Sequence, residues 1–221
     1  MTSNGTDEYI PFNHDYTLAF KLTVGLVCLL SIAGSLLVIF TYVLFKNLRT
    51  VARQLLVNLS VADILANSSH IFGMAANLSR NATSAKKSDV HFDVAAACSS
   101  QGGLALFGTV ACFLWTIALA FHLFALLVIK RSKVRRGLVA VFYVICWGLP
   151  LTLVIAYASG GFLGYEEVAH VGWCYVRSRF SQRWIAVVGY DAWMCLVLLT
   201  LFVLFAVIEL YLRTKALAIL A

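Results

Sequence analysis

Charged side chains are scarce in this sequence. They make up 12% of its 221 residues, about half of the ~25% that is typical of soluble domains. A soluble domain of this size and composition would have too little polar surface to face water. Only two prolines occur, and no low-complexity linker interrupts the chain. The sequence therefore predicts one compact unit.

Sequence signatures of catalysis are also missing. There is no His-Glu-x-x-His motif, no Gly-x-Ser-x-Gly motif, no phosphate-binding glycine loop and no cysteine pair with zinc spacing. We therefore expect no enzymatic activity, no cofactor and no metal site. Residues 1–17 are polar and do not follow the pattern of a cleavable signal peptide, so the first apolar run would act as its own insertion signal.

Long apolar runs are what the sequence has instead. Each of five runs reaches the ~20 residues that a helix needs to cross a bilayer. A backbone in lipid must satisfy its own hydrogen bonds, so these runs are predicted to be helices. The expected fold is an all-α integral membrane protein. The predicted spans 1 to 5 cover residues 18–45, 54–76, 96–130, 137–158 and 185–212.

The basic residues indicate the orientation of the spans. Three segments contain Lys and Arg but no Asp or Glu, namely residues 46–53, 131–136 and 213–221. Segments on the opposite side together carry both signs of charge, namely residues 1–17, 77–95 and 159–184. The positive-inside rule then places the N-terminus outside the plasma membrane. With this distribution, the net charge of +7 favours contact with membrane lipids and not with nucleic acid.

Two outer-side sequence features support this orientation. Asn4 and Asn81 begin Asn-x-Thr glycosylation sequons on predicted outer segments. Cys98 begins span 3 and Cys174 lies in the long outer loop after span 4, where oxidation is permitted. A disulfide between them would hold that loop over the mouth of the bundle. The alternative is two free thiols.

Polar residues inside span 2 form a stripe. Ser60, Asp63, Asn67, His70 and Met74 fall within a narrow arc of a helix, with Asp63 about midway. A water- or cation-binding network that shifts between conformations is one interpretation. The other is interhelical hydrogen bonding, which is worth ~0.6 kcal/mol per bond on average in membranes.

Span 3 has a second stripe, which repeats every seven residues. It consists of Gln101, Gly108, Trp115 and His122. We assign His122 to the intramembrane polar network with Asp63, Asn67 and His70, although a structural hydrogen bond is the alternative. Three glycines of this span are predicted to allow close helix approach, namely Gly102, Gly103 and Gly108.

Several residues at the outer ends of the spans are candidates for contact with a ligand. They are Gln101, Asp191, Trp193 and Arg177. Asp191 lies below the outer loop, where a cationic group could pair with it. Arg177 could attract an anionic ligand, or its side chain could simply extend to the membrane interface.

Four motifs, each in its expected span or loop, carry a family resemblance. They are Asn58-Leu-Ser-Val-Ala-Asp63, Phe113-Leu-Trp-Thr-Ile-Ala118, Cys146-Trp-Gly-Leu-Pro150 and Val171-Gly-Trp-Cys174. Together they resemble the seven-helix G-protein-coupled receptors, and more specifically the cyclic-AMP-receptor-like group and the secretin and adhesion receptors. The resemblance implies a seven-transmembrane receptor bundle of which five helices are present.

The resemblance also implies partners. It implies an extracellular ligand, which the sequence does not identify, and a heterotrimeric G protein inside. The candidates for contact with the G protein, or with anionic lipid, are Arg49, Arg53, Lys130, Arg131, Arg135 and Arg136. The inner end of span 3 lacks the Asp-Arg-Tyr sequence that many such receptors carry, and the given chain is expected not to signal alone.

Two other functions are compatible with five spans. One is a transporter or channel component with Asp63, His122 and Asp191 along an ion path. Spans 1 and 4 are nearly bare of polar side chains, which counts against a continuous path. The other is a truncated receptor isoform that modulates the full-length receptor.

Overall fold

The computed structural model describes residues 14–48, 50–83, 94–128, 136–165, 174–176 and 187–220. Within them lie five long helices: α1 (His14–Leu44), α2 (Val51–Thr83), α3 (Val94–Leu127), α4 (Arg136–Ser159) and α5 (Ala192–Leu220). A 3-10 turn at Lys46–Leu48 follows α1, and a π-helical turn at Val187–Asp191 precedes α5. Two short strands, β1 (Leu163–Tyr165) and β2 (Cys174–Val176), form an antiparallel pair that the sequence did not predict.

All five helices contain a stretch that is long and apolar enough to cross a membrane. Several helix ends differ from the predicted spans: α1 begins at His14 and not at residue 18, and α5 continues to Leu220 and not only to residue 212. α2 continues to Thr83, although an outer loop was expected from residue 77, and α3 ends at Leu127 and not at residue 130. A helix satisfies its own backbone hydrogen bonds in water as well as in lipid, so it can continue beyond its apolar run. The membrane limits of the spans stay predictions.

Helix α3 is the centre of the bundle. It packs against α2, α4, α5 and both strands, whereas α1 packs mainly on α2. In the apolar part of α3, 44% of the residues are buried by protein, against 6% in α1. The predicted seven-residue stripe of α3 lies on its buried face, since Gln101, Trp115 and His122 are all buried.

A glycine and an alanine set the close approach of α2 and α3. A Cβ atom added to Gly108 would lie only 2.5 Å from the backbone nitrogen of Ala66. Such small residues matter because lipid gives apolar helices no hydrophobic reason to associate, so close packing must hold them. Gly102 and Gly103 instead face the strands: added Cβ atoms would lie 3.2 Å from the Tyr175 carbonyl oxygen and 3.3 Å from Leu163 Cδ1.

The end of α4 directs the chain into the strand pair. Gly161 has a positive φ of 68°, and its amide donates to the Ala158 carbonyl while the Phe162 amide donates to the Tyr157 carbonyl. These two bonds form a Schellman motif, which ends the helix at a glycine. The rings of Tyr157 and Phe162 are in contact, so the turn is fixed and β1 starts against α3.

Replacement of Gly108 by Ala should destabilise the bundle. The added methyl group meets the backbone of α2, and overpacking of this kind costs about 1–3 kcal/mol. Gly148→Ala in α4 is the matched control, because its Cβ would meet nothing within 4 Å and Ala favours a helix. Thermal unfolding of the purified variants measures the difference. Equal stability of the two variants would contradict the packing assignment.

Candidate functional site

The strand pair forms a hairpin-like cap at the Val94 end of α3, which the sequence predicts to be the outer end. Cys98 of α3 and Cys174 of β2 form a disulfide, with their Cα atoms 5.4 Å apart. This confirms the predicted pair. Cys174 is aligned with Tyr165, and Val176 with Leu163. The crosslink therefore holds both strands against α3, and we call β1 and β2 together the outer cap.

Gln101 adds a second link between the outer cap and the helices. Its side chain is buried, and its Oε1 accepts a bond of 2.7 Å from the Cys174 backbone amide. Its Nε2 donates to the Ser69 carbonyl of α2 at 3.1 Å. Both polar atoms of this side-chain amide are bonded to protein, so the geometry indicates that Gln101 supports the cap. Its contact with a ligand stays a prediction.

An apolar cluster lies beneath the outer cap. Val176 and Leu163 are buried there with Leu106 and Val110 of α3, and Trp193 of α5 packs against them. The indole Nε1 of Trp193 is buried and has no hydrogen-bond partner among the described residues. The structure thus brings α3, α5 and the cap together at the outer end of the bundle.

The other two ligand-side candidates are placed differently. Asp191 ends the π-helical turn before α5 and is exposed, so it lies at the outer end of α5 but outside the apolar cluster. Arg177 lies outside the described residues. Contact of either residue with a ligand stays a prediction.

Asp63 is the centre of a polar cluster between α1 and α2. Its Oδ2 accepts hydrogen bonds from Ser31 Oγ at 2.7 Å and Ser35 Oγ at 2.8 Å, both from α1. Its Oδ1 accepts a bond of 2.9 Å from Asn67 Nδ2, which also donates to the Asp63 carbonyl. Four hydrogen bonds from three side chains converge on Asp63. The two from α1 connect the helices, so this cluster is an interhelical tie.

The two predicted histidines are not equivalent. His70 is half-buried one turn beyond Asn67 on α2. His122 is buried on α3, and its Nδ1 has no hydrogen-bond partner among the described residues. No hydrogen bond joins His122 to Asp63 within that part of the chain. The geometry therefore separates His122 from the cluster at Asp63.

A further polar cluster connects α2 and α4. Asn58 Nδ2 donates to Tyr143 Oη at 2.7 Å, and Gln54 Nε2 donates to the same oxygen at 3.1 Å. Trp147 Nε1 donates to Asn58 Oδ1 at 3.3 Å. The buried Trp115 of α3 contacts Tyr143 and Trp147 edge to face, with ring centroids 5.2 and 5.9 Å apart. Three helices thus meet at one hydrogen-bonded and aromatic junction.

The sequence that forms this bundle matches a known receptor family. The family model described as "7 transmembrane receptor (Secretin family)" matches residues 15–218 of the chain. The chain belongs to the secretin family of seven-transmembrane receptors. The prediction of a receptor bundle in the membrane is confirmed.

Relatives of this secretin-family chain are found in animals, fungi and amoebae. It is 31% identical over 173 residues to G-protein coupled receptor 157 of Mus musculus. The matched region covers 76% of this chain and 48% of the relative. It is 27% identical to an ascaroside receptor of Arthrobotrys oligospora, over 74% of this chain and 40% of the relative. Cyclic AMP receptor 1 of Dictyostelium discoideum is 34% identical over a region that covers 34% of this chain and 18% of the length of that receptor.

The fold is also that of a solved receptor structure. Squid rhodopsin superimposes with a TM-score of 0.69 over 91% of this chain and 54% of the rhodopsin chain, at 15% identity. At this identity the likeness concerns the fold alone. The chain spans about half the length of the murine relative, since the match covers 48% of it.

Sequence reasoning missed some of the polar residues of this family member. Ser31 and Ser35 lie in a span that was considered nearly bare, yet both bind Asp63. Tyr143 was not singled out, and Trp147 of the matched motif both packs and donates a hydrogen bond. The available signal was their spacing, because each pair lies four residues apart and so shares one helix face.

Most of the other predicted site residues lie outside the described residues or without a described side chain. Arg53 is described and half-buried at the start of α2, and Arg136 begins α4. Asn81 lies in the last turns of α2, where a loop was expected. The predicted residues that lie outside the described ones are Asn4, Arg49, Lys130, Arg131 and Arg135. Glycosylation and G-protein contact stay predictions for all of them.

The tie at Asp63 predicts energetic coupling between α1 and α2. In a double-mutant cycle, Asp63→Ala and Ser35→Ala should show an interaction energy of about 0.6–1.7 kcal/mol, as for other intramembrane hydrogen bonds. Thr23→Ala is the control hydroxyl deletion on α1, because Thr23 Oγ1 donates to the Ala19 carbonyl of its own helix and to no residue of α2 within the described part of the chain. Unfolding of the purified variants gives the energies. An interaction energy with Asp63 that is no larger for Ser35 than for Thr23 would contradict the interhelical tie.

Proposed function

We propose that this protein is a receptor that binds an extracellular ligand and activates a heterotrimeric G protein on the inner side of the plasma membrane, with its N-terminus outside. The observation that carries the proposal is the link between the outer cap and α3. The cap is joined to α3 by the Cys98–Cys174 disulfide and by Gln101. A ligand that contacts the cap would therefore act directly on the central helix.

Helix α3 would transmit the effect of the ligand inwards. Its outer end supports the cap, and its middle places Trp115 against Tyr143 and Trp147 at the junction with α2 and α4. A ligand shifts a conformational equilibrium only by binding one state better than the other. Helix α3 packs against three other helices, and its position relative to them could differ between two such states.

Family membership and the names of relatives support a receptor role. The relatives include proteins named as receptors for an ascaroside and for cyclic AMP. The identity of the ligand of this chain is not part of the proposal. Trp193 is a candidate contact, because its buried indole Nε1 has no hydrogen-bond partner among the described residues.

The polar residues of the bundle favour a receptor over an ion path. Asp63 is bound by Ser31, Ser35 and Asn67, which tie two helices together. His122 and Asp191 do not join that cluster through hydrogen bonds within the described part of the chain. Separate clusters that connect neighbouring helices are the arrangement expected of helix packing in membranes, and they do not form a continuous polar line.

Charge reversal in the second inner segment tests G-protein coupling. Arg135→Glu together with Arg136→Glu, in the natural protein expressed in full, should reduce ligand-independent dissociation of the G protein to that of untransfected cells. The physical reason is that acidic side chains replace a basic docking surface. Resonance energy transfer between G-protein subunits in living cells is the measurement.

A matched pair of reversals on the outer side serves as the control. Lys86→Glu with Lys87→Glu makes the same change in charge and should leave ligand-independent dissociation unchanged. An N-terminal epitope that antibodies reach on intact cells checks the orientation of every variant. Unchanged dissociation in the Arg135 and Arg136 variant, with the N-terminus still outside, would rule out coupling through this segment.

A further inference from the structure

A groove separates α1 from α2 at their inner ends. Its volume is about 320 Å³, within the range of about 300–1,000 Å³ that is usual for small-molecule sites. The groove is lined by Val38, Thr41, Tyr42, Phe45, Arg53, Leu56 and Val57. Most of these side chains are apolar or aromatic, and Arg53 supplies the one positive charge of the lining.

Arg53 has no acidic partner within the described part of the chain. The lining contains no Asp or Glu, and neither does the connection from Phe45 to Arg53. The ion pair present at this inner side is formed by Arg213 and Glu209 of α5. Arg53 as a whole is half-buried, so part of its side chain packs against protein, and the lining of the groove supplies no counter-charge for it.

The start of α2 adds a second attraction for an anion. Thr50 Oγ1 accepts a hydrogen bond from the Arg53 backbone amide at 3.4 Å, which caps the helix and fixes Arg53 in its first turn. The N-terminal end of a helix carries a partial positive charge. Arg53 and the helix end therefore favour a negative group at the same place, and a guanidinium matches the oxygens of a phosphate with two parallel bonds.

The rest of the groove suits a hydrocarbon chain. Val38 of α1 and Phe45, which directly follows α1, line it together with Leu56 and Val57 of α2, and the side chain of Phe45 is exposed. The hydroxyl of Thr41 already donates to the Val38 carbonyl of its own helix at 2.9 Å. The groove thus combines one cationic end with an apolar wall between two membrane-spanning helices.

We propose that this groove is a binding site for an anionic glycerophospholipid. Its phosphate would contact the Arg53 guanidinium at the start of α2, and one acyl chain would lie between α1 and α2. The occupant is inferred from charge complementarity, because basic sites between helices at the inner side of a membrane attract anionic headgroups. This site does not depend on ligand binding or on G-protein coupling.

Photo-crosslinking of lipids in nanodiscs tests the site. The protein is reconstituted with photoactivatable phosphatidylglycerol or with phosphatidylcholine that carries the same acyl chain, and labelled peptides are identified by mass spectrometry. We expect phosphatidylglycerol to label peptides of α1 and α2 around the groove more than phosphatidylcholine does. Arg53→Gln should lower that labelling about fivefold, as expected from the loss of one basic residue near anionic lipid.

Two further variants separate a built site from general attraction. Val57→Trp fills the groove without a change in charge and should also reduce labelling of α1 and α2. Lys215→Gln removes a cation from the inner end of α5 and should leave that labelling unchanged. Size-exclusion chromatography confirms that each variant remains folded.

Three results would overturn the proposal. Equal losses of phosphatidylglycerol labelling in Arg53→Gln and Lys215→Gln would indicate only a general attraction of basic residues to the negatively charged membrane surface. Equal labelling by both lipids would indicate an apolar groove without headgroup selection. Unchanged lipid labelling in Arg53→Gln, together with lost activation of purified G protein in detergent, would assign the residue to a protein partner.

Discussion

The close packing of α3 is the constraint on which the rest of the structure depends. Lipid does not drive apolar helices together, so contact between them requires small residues and hydrogen bonds. Gly108 lets the backbone of α3 lie against Ala66 of α2. That approach places Gln101 within reach of the Ser69 carbonyl of α2. Further along the same helix, Trp115 packs against Tyr143 of α4, so the cap and the junction of three helices both depend on α3.

The polar contacts divide the bundle into levels. At the outer end, Gln101 and the disulfide hold the outer cap on α3. In the middle, Asp63 ties α1 to α2. At the end predicted to be the inner one, Arg53 lines a groove between α1 and α2 and has no acidic partner among the described residues. These levels agree with the proposals of ligand binding at the outer end and of lipid and G-protein contact at the inner end.

Sequence reasoning predicted the features that depend on local pattern. Apolar runs gave the spans, the position of two cysteines gave the disulfide, and the heptad spacing gave the buried face of α3. It missed the outer cap, because three-residue strands have no periodic signal and form only where α3 offers a surface. It also missed Ser31 and Tyr143, since their partners depend on how α1 and α4 rotate against α2, which no single helix determines.

The most direct test of this account is amide hydrogen exchange of the outer cap in nanodiscs, measured with the disulfide intact and reduced. The cap is predicted to lie outside the bilayer, so the lipid should not protect its amides. If the cap is part of the α3 unit, amides from Cys174 to Val176 will exchange slowly and will speed up when the disulfide is reduced. Exchange as fast as that of a free peptide before reduction would contradict the account.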